Sequence, residues 1–127
     1  MPYLRRHFVA EPQAAYAARR ELEALSDDLD ARELHLVTLL TTELVTNSIV
    51  HSHMPAQGLV RLDVNVTDSV IRVEVRDRGV GFEPLPPHAG DPLAGHWGLQ
   101  LVDELADRWH VRGATTVAFE VDRPHAA

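Results

Sequence analysis

One long helical segment, residues 31–52, constrains this chain most. Leu36, Leu39, Leu40, Leu44, Val45, Ile49 and Val50 cover most of its circumference, so other elements must enclose it and it should lie deep in the domain. Shortly downstream the apolar period changes to two. Val60, Leu62, Val64 and Val66 alternate with Arg61, Asp63, Asn65 and Thr67; after a tight turn at Asp68-Ser69, Ile71, Val73 and Val75 alternate with Arg72, Glu74 and Arg76. That pattern predicts an antiparallel hairpin with one buried face and one wet face.

The remaining elements are shorter. Residues 3–9 read as an edge strand, and Glu11-Pro12 opens a helix that reaches about residue 25, with Pro at the first helical position. Ala14, Ala15, Ala18, Leu22 and Leu25 recur there at helical spacing. Ser26-Asp27-Asp28 breaks the chain, and Asp30 can cap the long helix. Residues 79–95 form a loop rich in Gly and Pro, of a length that is usually functional. A helix over 99–108 follows, with Leu99, Val102, Leu105 and Ala106 on one face. Strands over 109–112 and 115–122 join at Gly113-Ala114, and residues 123–127 read as a loose tail. The order implies an α/β (α+β) two-layer sandwich: a mixed, mostly antiparallel sheet with helices on one face.

Composition removes several classes of function. With 127 residues the chain reads as one domain, 1–127. It has no Cys, which excludes disulfide scaffolds, thiol nucleophiles and cysteine–zinc sites. All twelve basic residues are Arg, so the phosphate lysine of a P-loop is missing. A net charge of -7 argues against direct nucleic-acid binding. No apolar run approaches the roughly 18 residues of a membrane span, and the N-terminus lacks an apolar signal core. A cytoplasmic setting without membrane contact is expected.

Three patches place a polar group or a glycine where a core pattern needs none. Glu43, Asn47 and His51 follow one another at steps of four on the apolar helix. They share one face, and a carboxylate and an amide there need a ligand, a metal, water or the helix rim to satisfy them. Asp77-Arg78-Gly79-Val80-Gly81 follows a strand; its Asp can accept from a ligand amino group, and its glycines let backbone approach a flat ring. Gly95-His96-Trp97-Gly98-Leu99 opens the third helix, where free N–H groups suit phosphate. Each patch alone also reads as ordinary turn or cap chemistry.

In this order and spacing the three resemble the N box and the two glycine boxes of the GHKL (Bergerat-fold) ATPases, which include gyrase, histidine kinases and MutL. Within them, Glu43-Leu-Val-Thr-Asn47-Ser48-Ile-Val-His51 and the Gly113-Ala-Thr-Thr116-Val-Ala-Phe strand are similar to the small bacterial anti-sigma factor serine kinases. The resemblance runs from about residue 8 to 122. It implies ATP and Mg2+ as ligands and protein serine kinase activity. It implies Asn47 as the Mg2+ ligand, Glu43 as the general base and His51 near the phosphates. It implies Asp77 as acceptor of the adenine amino hydrogen, with Gly79 and Gly81 passing the base and Thr116 supporting Asp77. Gly95 would belong to the phosphate-side glycine box, Gly98 and Leu99 would give N–H groups to phosphate, and residues 82–95 would form an ATP lid. The implied partners are a sigma factor and an anti-anti-sigma (antagonist) protein, and dimers are common among the relatives. An alternative from another class is an ATP-binding regulatory module that transfers no phosphate.

Two departures bear on that choice. The residue two before Gly98 is His96 rather than glycine. Serine-kinase relatives often place a lid Arg near the γ-phosphate, whereas between Pro84 and Gln100 there is no Arg or Lys, leaving His88 and His96 as the only candidate cations there. That change lowers phosphoryl transfer more than nucleotide affinity. Of the other features, His51 and His53 do not share a helix face and read as structural. Arg5, Arg6, Arg19 and Arg20 read as a solvated face, and Trp97 and Trp109 as packing for the short helix.

Overall fold

The computed structural model describes residues 3–51, 58–77, 99–113 and 116–124, with backbone alone for residues 50 and 51. Five strands form one sheet: β1 (Tyr3–Val9), β2 (Leu59–Val66), β3 (Val70–Asp77), β4 (Arg108–Arg112) and β5 (Thr116–Asp122). Their order is β1-β2-β3-β5-β4, and every pairing is antiparallel, so the mixed sheet expected from sequence is antiparallel throughout the described strands. Three helices complete the described fold: α1 (Ala14–Leu22), α2 (Ala31–His51) and α3 (Leu99–Leu105). α2 lies on β3, with α1 and α3 against it, and α1 also meets β1.

The apolar periods build one core. Val60, Leu62, Val64 and Val66 of β2, Ile71, Val73 and Val75 of β3, and Val117, Phe119 and Val121 of β5 are buried. They meet Val37, Leu40, Leu44 and Val45 of α2 and Ala18 and Leu22 of α1. Leu36, Leu39 and Ile49 are only half-buried, because α2 is enclosed on its sheet and α1 sides and keeps a partly open flank.

The element ends differ from the sequence reading in ways that trace to hydrogen bonds. Pro12 lies in a turn before α1, not at its first position: the Ala14 amide donates to Glu11 O at 2.9 Å and the helix starts at Ala14. A 3-10 turn over Glu23–Leu25 extends α1 toward the expected end. α2 begins with a reciprocal cap, in which the Glu33 amide donates to Asp30 Oδ1 (2.7 Å) and the Asp30 amide to Glu33 Oε1 (3.0 Å). α3 stops at Leu105 instead of residue 108, since Arg108 is already paired with Glu120 in the sheet. The Trp109 indole donates to Asp103 at 2.8 Å and pins that turn. Arg123 is not part of a loose tail. Its guanidinium donates to Glu33 (3.0 Å), Thr67 O (2.9 Å) and Asp28 O (2.9 Å), which fastens the end of β5 to the start of α2.

Among the described residues the second sheet face carries no helix and is covered by ion pairs. Asp63 accepts from Tyr3 at 2.9 Å and Arg5 at 2.5 Å and pairs with Arg61 at 2.9 Å. Burial alone would raise the Asp63 carboxyl; the Arg5 and Tyr3 hydrogen bonds and the Arg61 and Arg5 charges outweigh it and hold the group below its ordinary value. The folded state therefore takes this proton less readily than the unfolded chain. The stabilisation is complete above the ordinary Asp value of about 4 and is lost as pH falls through the lower folded value. Asp63→Asn is expected to cost roughly 1–2 kcal/mol at neutral pH. Its deficit against the parent should shrink in thermal melts below about pH 4; a deficit of constant size would contradict the assignment.

Candidate functional site

On α2 the period that buries Leu40 and Leu44 against the sheet also buries Asn47, which is 2% exposed. Neither Asn47 Nδ2 nor Oδ1 has a hydrogen-bond partner among the described residues. An orphaned buried amide costs about 1–3 kcal/mol, so a helix carrying one is built around something else that satisfies it. Glu43, one turn earlier, is half-buried. His51 is the last residue of α2. The sequence-predicted row thus runs from a half-open carboxylate through a closed amide to the helix end.

Asp77 closes β3. Ile71, Val73 and Val75 form its buried row, and Asp77 takes the next place in that row at 1% exposure, opposite Val60. A carboxylate replaces an apolar side chain on the sheet face that meets α2. Leu99 is buried at the first position of α3, which packs on α2. The fold therefore brings Asn47, Asp77 and Leu99 to the helix-covered side of one sheet.

Thr116 does not join them. It pairs directly with Arg76. Directly paired residues share a face and chain neighbours alternate, so Thr116 stands with Arg76 on the side away from Asp77. The support for Asp77 expected from this hydroxyl does not fit the register, and its chain neighbour Thr115 lies outside the described residues. Gly79, Gly81, Gly95 and Gly98, the segment 82–95 with His88, and also His96 and Trp97, lie outside them as well. Thr41, which sequence reasoning passed over, is fully buried on α2 with Oγ1 unpartnered among the described residues. A hydroxyl inside an apolar helical period was the available signal.

The donor set suits a hard cation held largely by its own substrate. Among the described residues no group of three or more His, Cys, Asp or Glu side chains could hold a metal. Mg2+ is held by hard oxygen donors and keeps waters and substrate phosphates as most of its ligands, and an amide oxygen is such a donor. Asn47 fits that part.

Fold and site together define a two-layer α+β domain with a polar pair, amide and carboxylate, sunk between its long helix and its sheet. The histidine kinase-like ATPase domain model matches residues 8–119, and the chain belongs to that family. It is 32% identical over 82 residues to an anti-sigma F factor of Clostridium botulinum, covering 62% of this chain and 57% of that protein. It is 33% identical over 89 residues to an anti-sigma F factor of Geobacillus stearothermophilus, covering 68% of this chain and 60% of that protein. The chain thus spans less than two thirds of these relatives' length. A crystal structure of the RsbU and RsbW domains of a Mycobacterium tuberculosis protein superposes with a TM-score of 0.70 at 21% identity, over 98% of this chain and 34% of that one. That likeness concerns the fold. Among the described residues no helix is long and apolar enough to cross a membrane.

Proposed function

We propose that residues 1–127 are a single ATP-binding domain acting as an anti-sigma factor and protein serine kinase in the cytoplasm. It would bind a sigma factor and phosphorylate a serine of an antagonist protein. The observation that carries the nucleotide site is Asn47, a closed amide with both polar atoms unsatisfied among the described residues. Family membership supports ATP as the ligand, and the anti-sigma F factor relatives support the partner class.

In this reading Asn47 holds Mg2+, which when bound offsets phosphate charge. Asp77 accepts the adenine amino hydrogen, Gly79 and Gly81 let backbone pass the base, and Gly98 and Leu99 give N–H groups to phosphate. Glu43, on the half-open flank of α2, takes the proton of the attacking hydroxyl. A second reading keeps nucleotide and partner binding but no transfer; the absence of Arg and Lys between Pro84 and Gln100 favours it.

Thermal melts test the site. ATP with Mg2+ should raise the melting temperature, since a ligand of the folded state stabilises by mass action, about 2.7 kcal/mol at a hundredfold excess over Kd. Asn47→Ala should remove most of the Mg2+ dependence. Without ligand it should melt no lower than the parent, because it deletes an unsatisfied amide. An ATP shift in the parent that EDTA leaves untouched would remove Asn47 as the metal ligand.

A further inference from the structure

The open sheet face reads as cross-strand rows. One row runs Tyr3, Asn65, Arg72, Glu120, Arg108, and the next Arg5, Asp63, Glu74, Ala118, His110. Both contain carboxylates. The third row runs His7, Arg61, Arg76, Thr116, Arg112 and contains none. Like charges directly opposite each other destabilise a sheet, yet this row sets three arginines and a histidine across five strands. Arg61 and Arg112 borrow carboxylates from the neighbouring row, Asp63 and Glu74. His7 and Arg76 have no ion pair among the described residues, and both are exposed. A cleft of about 170 Å³ opens between His7, Leu59, Arg61 and Arg76. The whole face carries six of the twelve arginines against four carboxylates, in a chain of net charge -7.

We infer that this basic row is a docking site for an extended acidic segment of a partner protein, seated with a carboxylate in the His7–Arg61–Arg76 cleft. Charge complementarity selects the occupant. Strands about 4.8 Å apart make the row roughly 19 Å long, the reach of about six extended residues and far more than one small anion needs. The rest of the face sets three arginines against four carboxylates, and the chain's overall negative charge repels nucleic acid. The row lies on the opposite sheet face from Asp77 and Asn47, so this inference does not depend on the proposed nucleotide site.

The test is fluorescence anisotropy with a labelled peptide of about eight residues alternating Glu and Ser, against its Gln counterpart. The acidic peptide should bind at least tenfold more tightly than the Gln peptide and weaken with added salt. Arg76→Glu should weaken it at least tenfold, while Arg32→Glu, an exposed change on α2, should alter it less than twofold. Saturating ATP with Mg2+ should leave the affinity within twofold. Arg76→Glu should also melt about 1–4 °C higher than the parent, because it relieves the repulsion with Arg61. Equal binding of the two peptides, indifference to Arg76→Glu, displacement by ATP, or a lower melting temperature in that variant would overturn the inference. So would an oligothymidylate bound as tightly with the same loss in Arg76→Glu, which would make the row a generic polyanion patch.

Discussion

Glu43→Gln is expected to bind ATP as the parent does and to lose serine phosphorylation by about 100- to 10,000-fold, the usual cost of removing a general base. The substitution keeps shape and hydrogen-bonding capacity but cannot take a proton. Glu43 is half-buried one turn before the closed amide of Asn47, and in the proposed function it is the base that takes the proton of the attacking hydroxyl. A base contacts the nucleophile rather than ATP, hence the separation of rate from affinity. Without Arg or Lys between Pro84 and Gln100 the parent itself should be slow, below the roughly 1–100 s⁻¹ of typical kinases. Single-turnover loss of γ-phosphate, with the proposed antagonist protein present, measures the effect. Unchanged transfer in Glu43→Gln would remove it as the base. No transfer from the parent would move the assignment to the regulatory module.

Asp77→Ala is expected to weaken ATP binding about 10- to 100-fold, since a hydrogen bond to a charged group is worth roughly 1.5–3 kcal/mol. The position makes the effect large. Asp77 is 1% exposed and takes the place of an apolar residue in the buried row of β3, so little water competes for its carboxylate. Competition against a fluorescent ATP analogue reads the loss. An Asp77→Ala variant that binds like the parent would separate this carboxylate from the base.

The long helix and the hairpin were legible because their periods are unmixed over many residues, and the hairpin register followed from its two-residue turn at Asp68-Ser69. Asn47 and Asp77 were legible for the opposite reason: each is a polar residue in a place where the period calls for an apolar one. Thr116 was not, because two consecutive threonines offer either parity and only the pairing with Arg76 fixes which face Thr116 takes. The end of α3 was also hidden. Leu105, Ala106 and Arg108 continue a helical period, and it is pairing of Arg108 with a distant strand that stops it. Arg123 looked like tail because its partners, Glu33, Thr67 and Asp28, are distant in sequence. The basic row was invisible for the same reason, since its members come from five separate strands.

Adenine selectivity tests the central claim most directly. In the proposed site adenine would present an amino group to Asp77 where guanine would present a carbonyl oxygen, which a carboxylate repels. Calorimetric titration of the parent chain with ATP and with GTP, each with Mg2+, should give ATP binding at least about tenfold tighter, a difference of about 1.4 kcal/mol. Equal affinity for the two nucleotides, or no heat with either, would contradict an adenine site at Asp77.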